Sequence, residues 1–177
     1  NDLDIVELWL LLLALRQAGV GSVSLINTYA GYSRQDKVFR AGEGISALTM
    51  LKIISALTDT YFVANIHYGE KSGFVGLPGY PLRLYNVNAF VQLAEKLFDF
   101  VANQVALLGE HTLSEELQSH PILILAPDDG ASEYVKEAAE ILEHYIKDKY
   151  GITVRMRSHY GYMDKVRTSA TSVQIPA

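Results

Sequence analysis

The stretch "TYAGYSRQDKVFRAGEGIS", Thr28 to Ser46, follows an apolar segment and is far longer than a connector needs to be. It is rich in Gly and in hydrogen-bonding side chains, a composition suited to a loop that holds something. Arg34 and Lys37 could bind phosphates, and Gln35 and Asp36 a base or ribose; a surface loop satisfied by its own polar contacts explains the same residues. In "ANIHYGEKSGF", His67 passes from the end of an apolar run into a Gly-containing loop, where an imidazole could contact phosphate or ligate a metal. A lone histidine more often bonds only nearby backbone. "LILAPDDGAS" places Asp128 and Asp129 between an apolar run and the start of a helix. Carboxylates there could hold Mg²⁺ through water or accept bonds from sugar hydroxyls, and a helix start favours phosphate. The competing reading is an N-cap Asp followed by an Asp-Gly turn.

Lys165 and Arg167, two apart in "YGYMDKVRTSATS", point the same way in extended chain. Such a pair could clamp one anionic group, as cations do on transferring phosphoryl groups; a solvated loop with ordinary charges is the commoner explanation. The other histidines, His111, His120, His144 and His159, show no ligand spacing, and there is no Walker A, GxGxxG or GxSxG motif. The shared implication is an anionic, phosphorylated ligand accompanied by a divalent cation.

Regular elements must position these residues. "SVSLINT" (22–28) and "YFVANI" (61–66) read as buried strands, and residues 45–57 carry apolar side chains at helical spacing. A Gly- and Pro-rich loop (68–81) precedes a long helix (87–107) and a short one near 113–118. Strand "ILILA" (122–126), helix 131–149, strand "ITVRMR" (152–157) and an apolar piece at 171–175 complete the order. Strand–helix alternation predicts an α/β fold of parallel sheets flanked by helices, with functional loops at the carboxyl ends of the strands. The first segment, "NDLDIVELWLLLLALRQAG", is expected to be a helix capped by Asn1 or Asp2 and stopped by Gly19. Its apolar residues run nearly all round, which predicts burial on most sides, against a sheet or another subunit. The long loop before Val87 suggests two lobes, divided as 1–84 and 85–177.

The 177 residues suffice for a real core, in one domain or two small ones, and the 49% apolar, 20% charged composition is that of a globular protein. A net charge of −5 offers no general attraction to nucleic acid. The absence of cysteine excludes disulfides and thiolate metal sites and makes an intracellular, cytoplasmic location the expectation. The apolar run Leu8–Leu15 is too short for a membrane helix and begins with acids rather than a signal peptide's positive charge.

Taken in order, "NDLDIVELWLLLLAL", "YAGYSRQDK", "ISA", "NIHYGEKSGF", "APDDGA" and "DKVR" resemble the ribose-phosphate pyrophosphokinases along essentially the whole chain. "GYSRQD" is the most specific of these elements. The resemblance implies parts of two phosphoribosyltransferase-like lobes and a ribose-phosphate diphosphokinase activity. The diphosphoryl group of ATP would pass to the 1-hydroxyl of ribose 5-phosphate, giving phosphoribosyl pyrophosphate and AMP with Mg²⁺. By position, Arg34 and Gln35 resemble the ATP-binding pair, with Asp36 as neighbour, and His67 the histidine close to metal and phosphates. Asp128, with Asp129 beside it, resembles the sugar- or metal-side aspartate, and Lys165 and Arg167 the cations that stabilise the transferred group. A homo-oligomer is implied, with neither nucleic acid nor membrane as partner.

The chain also departs from that family's pattern. Asn65 stands where an Asp is usual, Gly44 where a Pro is usual, and Leu48 and Ala131 replace a lysine and a glycine. The family's first strands and its acidic ribose-phosphate loop have no counterpart in this sequence, so a central piece of the enzyme, inactive alone, is expected. A catalytically inactive regulatory or structural paralogue is the alternative.

Overall fold

The computed structural model describes residues 2–69, 71–109 and 111–156, with the backbone of 166–167 and 173–174. Two compact units divide at Val87/Asn88, later than the expected 84/85 division because a strand runs on through Val87.

The first unit is a βαβ arrangement preceded by a helix. α1 (Asp2–Gln17) leads to β1 (Ser24–Asn27), α2 (Ser46–Leu57), β2 (Thr60–Ala64), β3 (Gly73–Val75) and β4 (Arg83–Val87). The sheet order is β1-β2-β4-β3; β1, β2 and β4 are parallel, and β3 runs antiparallel against β4. The α/β class expected from the sequence is therefore present, with the correction that the sheet is mixed. Its core is built from Val23, Leu25, Leu51, Ile54, Tyr61, Val63, Ile66, Leu82 and Leu84, with Leu12 of α1 packed on it. One carboxylate pins three elements together. Asp59 Oδ2 accepts bonds from Arg16 Nη2 (2.8 Å) and the Val23 N–H (2.7 Å), while Arg16 Nε donates to the Leu57 carbonyl. The Val23 N–H, then Arg16, hold the Asp59 carboxyl below its ordinary range.

Within this chain α1 is buried along one stripe only, which corrects the expectation of burial on most sides against a sheet and leaves another subunit as the alternative. Leu12 is buried, but Leu3, Val6, Leu10, Leu11 and Leu13 are exposed. The helix packs against α2 on one side, and a helix has only one stripe to offer a single neighbour. Among the described residues no helix is long and apolar enough to cross a membrane.

The second unit pairs α3 (Ala89–Leu108) with α5 (Ser132–Tyr150) and adds the short α4 (Leu113–Ser119). Local chemistry sets the ends. Asn88 caps α3, Gly109 (φ +69°) and Gly151 (φ +70°) close α3 and α5 in left-handed conformation, and Thr112 and Glu115 form a capping box on α4. Phe98, Ala102, Leu142 and Ile146 form the core. Beside it, Asp99 Oδ1 accepts from Tyr145 Oη (2.7 Å) and Tyr150 Oη (2.9 Å), and Lys149 Nζ reaches both Asp99 oxygens at 2.8 Å.

Residues 122–126 and 152–157 were expected as strands, and over 122–126 and 152–156, the part described, the structure corrects this. Their strand-like alternation is real: Ile122 and Ile124, and Ile152, Val154 and Met156, pack on the α3–α5 core while Leu123 and Leu125 are exposed. Yet neither segment enters a sheet among the described residues. Alternation fixes which side chains face inward, whereas a strand also needs a backbone partner. β5 (Val166–Arg167) and β6 (Val173–Gln174) form a short antiparallel pair.

Candidate functional site

In the first unit the parallel register pairs Asn27 with Val63 and Val63 with Asn86, so the chain leaves β1 and β2 at the same end of the sheet. That end carries both the Thr28–Ile45 loop and the turn that presents His67.

The longer loop is tied down at several points. Asn27 Oδ1 accepts the Tyr29 N–H (3.1 Å), an Asx-type turn, and Ala30 C=O accepts the Ser33 N–H. Tyr32 has φ +61°, uncommon for a side-chain-bearing residue. Its carbonyl accepts from Ser46 Oγ (2.9 Å), and its hydroxyl donates to Asp2 Oδ1 (2.7 Å), which raises the phenol's pKa. At Gly31 a Cβ would stand 3.3 Å from Ile5 Cδ1 of α1, a close approach that the isoleucine would have to relieve by a small shift. The Ala47 N–H donates to the Gln35 carbonyl at 3.1 Å, tying the loop to the first turn of α2. Further on, Glu43 Oε2 accepts the Phe39 and Arg40 N–H groups. The backbone is thus held on both sides of the predicted residues, leaving Arg34 exposed and Gln35 and Asp36 half-buried. Between α1, this loop and α2 lies a cavity of about 480 Å³, lined by Trp9, Asn27, Tyr29, Tyr32, Tyr61 and Tyr68 among others. On its wall Asn27 Nδ2 meets Tyr61 Oη at 3.3 Å, and burial raises the pKa of both Tyr61 and Tyr68.

His67 is exposed on a turn closed by the Gly69 N–H and the Ile66 carbonyl (3.0 Å). The preceding Asn65 has φ +44°, a conformation Asn tolerates better than most residues, and its N–H donates to the Val87 carbonyl. Behind the turn stands Asn86 of β4, buried, with Oδ1 on the Ile66 N–H and Nδ2 on the Lys71 carbonyl, both at 2.9 Å.

Asp128 and Asp129 belong to the second unit. Asp128 is half-buried at the N-terminal flank of a 3₁₀ turn (Asp129–Ala131) that leads into α5, and its carbonyl accepts the Ala131 N–H. Asp129 is exposed, and its carbonyl accepts from Ser132 Oγ at 2.7 Å. Lys165 lies outside the described residues; Arg167 contributes backbone to β5, its side chain being outside the description. Among the described residues no three His, Asp or Glu side chains stand close enough to hold a metal ion.

Sequence reasoning missed Tyr32 and Asn86. For Tyr32 the only signal was an aromatic residue between Gly31 and Ser33. For Asn86 it was an amide ending the row Leu82, Leu84, Asn86 on one face of a strand.

Comparison of the sequence with known proteins finds relatives along the chain. Residues 1–57 match the family model for the N-terminal domain of ribose phosphate pyrophosphokinase. A ribose-phosphate pyrophosphokinase of Pyrococcus furiosus is 32% identical over 99% of this chain and 50% of its own length. That of Pyrococcus abyssi is 32% identical over 89% of the chain and 49% of its own length, and that of Methanobrevibacter smithii 32% over 81% and 41%. The chain is related along nearly its whole length to the archaeal ribose-phosphate pyrophosphokinases, and it spans about half the length of these relatives.

Proposed function

We propose that this chain is part of a ribose-phosphate diphosphokinase. In this reading the 1-oxygen of ribose 5-phosphate attacks the β-phosphorus of ATP, the bond to the α-phosphate oxygen breaks, AMP leaves, and the hydroxyl proton passes to solvent. The observation that carries the reading is the 32% identity over 99% of the chain to an enzyme of that name. The common emergence of the Arg34 loop and the His67 turn from one end of a sheet supports it. Names borne by the relatives favour the enzyme over an inactive paralogue.

Arg34 and Gln35, with Asp36, would take the ATP phosphates and base, and His67 would bond a phosphate oxygen. Asp128 and Asp129 would serve the sugar or its cation, and Lys165 and Arg167 the transferred group. Mg²⁺ prefers oxygen ligands and keeps several waters, so phosphates and one carboxylate suit it better than an imidazole. This donor set therefore fits Asp128 as a water-mediated partner and His67 as a phosphate contact. Bound Mg²⁺ would neutralise charge on the phosphates; the side chains would align the reactants and stabilise the developing charge. Exposed leucines on α1 support a homo-oligomer, and a cytoplasmic location follows from the substrates.

The test is calorimetric titration of the 177-residue chain with Mg-ATP. Losing one charge-assisted bond of ~1.5–3 kcal/mol should weaken binding at least about tenfold in Arg34→Ala. Absence of binding, or equal affinity in the variant, refutes the reading. AMP formation by this chain alone would refute the expectation that it is inactive by itself.

A further inference from the structure

We infer that Asn86 is a positioning residue for His67, setting the turn from which the imidazole meets phosphate; this rests on the His67 contact proposed above. Leu84 and Asn86 on the inward face of β4, and Leu82 just before it, are all buried, with Asn86 2% exposed. The row changes from apolar to amide where the His67 turn arrives. Asn86 Oδ1 accepts the N–H of Ile66, before the histidine, and Nδ2 donates to the C=O of Lys71, after it. An N–H at one end and a C=O at the other admit only one orientation of the amide, and no single-function side chain could serve both. Ile66 is itself 2% exposed in the core and Tyr68 packs against it, so the residues flanking His67 are anchored by burial as well. Between these anchored neighbours His67 is exposed.

A buried amide that merely completes the core would affect folding without being coupled to His67. The two roles separate in a double-mutant cycle on the full chain, with Mg-ATP as titrant and amide hydrogen exchange as second readout. His67→Ala is expected to weaken binding about tenfold. Asn86→Leu should speed exchange at Ile66 and Gly69 while Val63 stays protected, and should weaken binding by a similar factor. The double variant should bind no more weakly than His67→Ala. Asn86→Asp keeps the acceptor for Ile66, loses the donor to Lys71, and should fall between; it supplies the comparison if Asn86→Leu loses protection at Val63. Unchanged exchange at Ile66 and Gly69, or losses that multiply in the double variant, overturns the inference. If His67→Ala binds Mg-ATP as tightly as the parent, the histidine's role under the proposed function falls, and the positioning role falls with it. If His67→Ala weakens binding but Asn86→Leu does not, only the positioning role falls.

Discussion

Asn88 offers a test in which three substitutions at one position should rank in a definite order. It is buried, and its Oδ1 caps α3 through the Phe90 N–H at 3.1 Å. Its Nδ2 donates to the Tyr134 carbonyl (2.8 Å) and to Glu137 Oε2 (3.0 Å) on α5, so one side chain both starts α3 and staples it to α5. Loss of the cap is worth ~1 kcal/mol, and loss of a bond to a charged group ~1.5–3 kcal/mol. Asn88→Ala should therefore lower unfolding stability by about 2.5–4 kcal/mol. Asn88→Ser retains an oxygen for the cap and should lose only the α5 part, about 1.5–3 kcal/mol. Asn88→Asp caps as well as Asn but turns an acceptor, negatively charged, toward Glu137 and the Tyr134 carbonyl. At neutral pH it should be at least as destabilised as Asn88→Ala. Facing a carboxylate raises the new group's native pKa, so the deficit is present above its unfolded pKa and shrinks as acid restores a proton to donate. Urea unfolding followed by far-UV circular dichroism, with exchange of the Phe90 amide as a local probe, measures the series. A loss below about 1 kcal/mol in Asn88→Ala, or an Asp variant as stable as the parent at pH 7, refutes the staple.

Two more outcomes follow from the same structure. Lys149, then Tyr145 and Tyr150, hold the Asp99 carboxyl down to about 2; its contribution is present above the unfolded value of ~4 and lost as pH falls from there toward 2. Asn in its place should leave unfolding midpoints less sensitive to acid across that window, and parallel curves for the two proteins would refute this. Leu84 is fully buried between Tyr61 and Val75, so Leu84→Ala should cost about 3–5 kcal/mol by urea unfolding; a loss under about 1 kcal/mol would show that the site collapses around the gap.

α2 was legible from apolar residues at helical spacing, α1 from its capping residues and closing glycine, and β1 and β2 because they are compact apolar runs. β4 escaped notice, since "RLYNV" interleaves Arg83, Tyr85 and Asn86 with its apolar residues. Asn86 looks like a loop residue until its partners, Ile66 and Lys71, are seen across a sheet. The same holds for Tyr32, whose partners lie on α1 and α2. Arg34, Gln35, Asp36 and His67 were legible as candidates because charged and hydrogen-bonding types cluster in over-long loops. Their placement at one sheet end required the register. For 122–126 and 152–156 periodicity gave the inward face correctly and the pairing wrongly, because side-chain alternation is encoded locally and a backbone partner is not.

Those two segments have a consequence for the behaviour of the chain at high concentration. Among the described residues no hydrogen bond reaches the backbone of 122–126 or 152–155. The run Ile122-Leu123-Ile124-Leu125 has no charge and presents Leu123 and Leu125 outward. Amides and carbonyls without a partner among the described residues, beside exposed leucines, offer a template for pairing between molecules, and uncharged stretches of this kind seed cross-β assembly. A charge at Leu123 or Leu125 would act as a gatekeeper, repelling a second strand while leaving the inward isoleucines in the core.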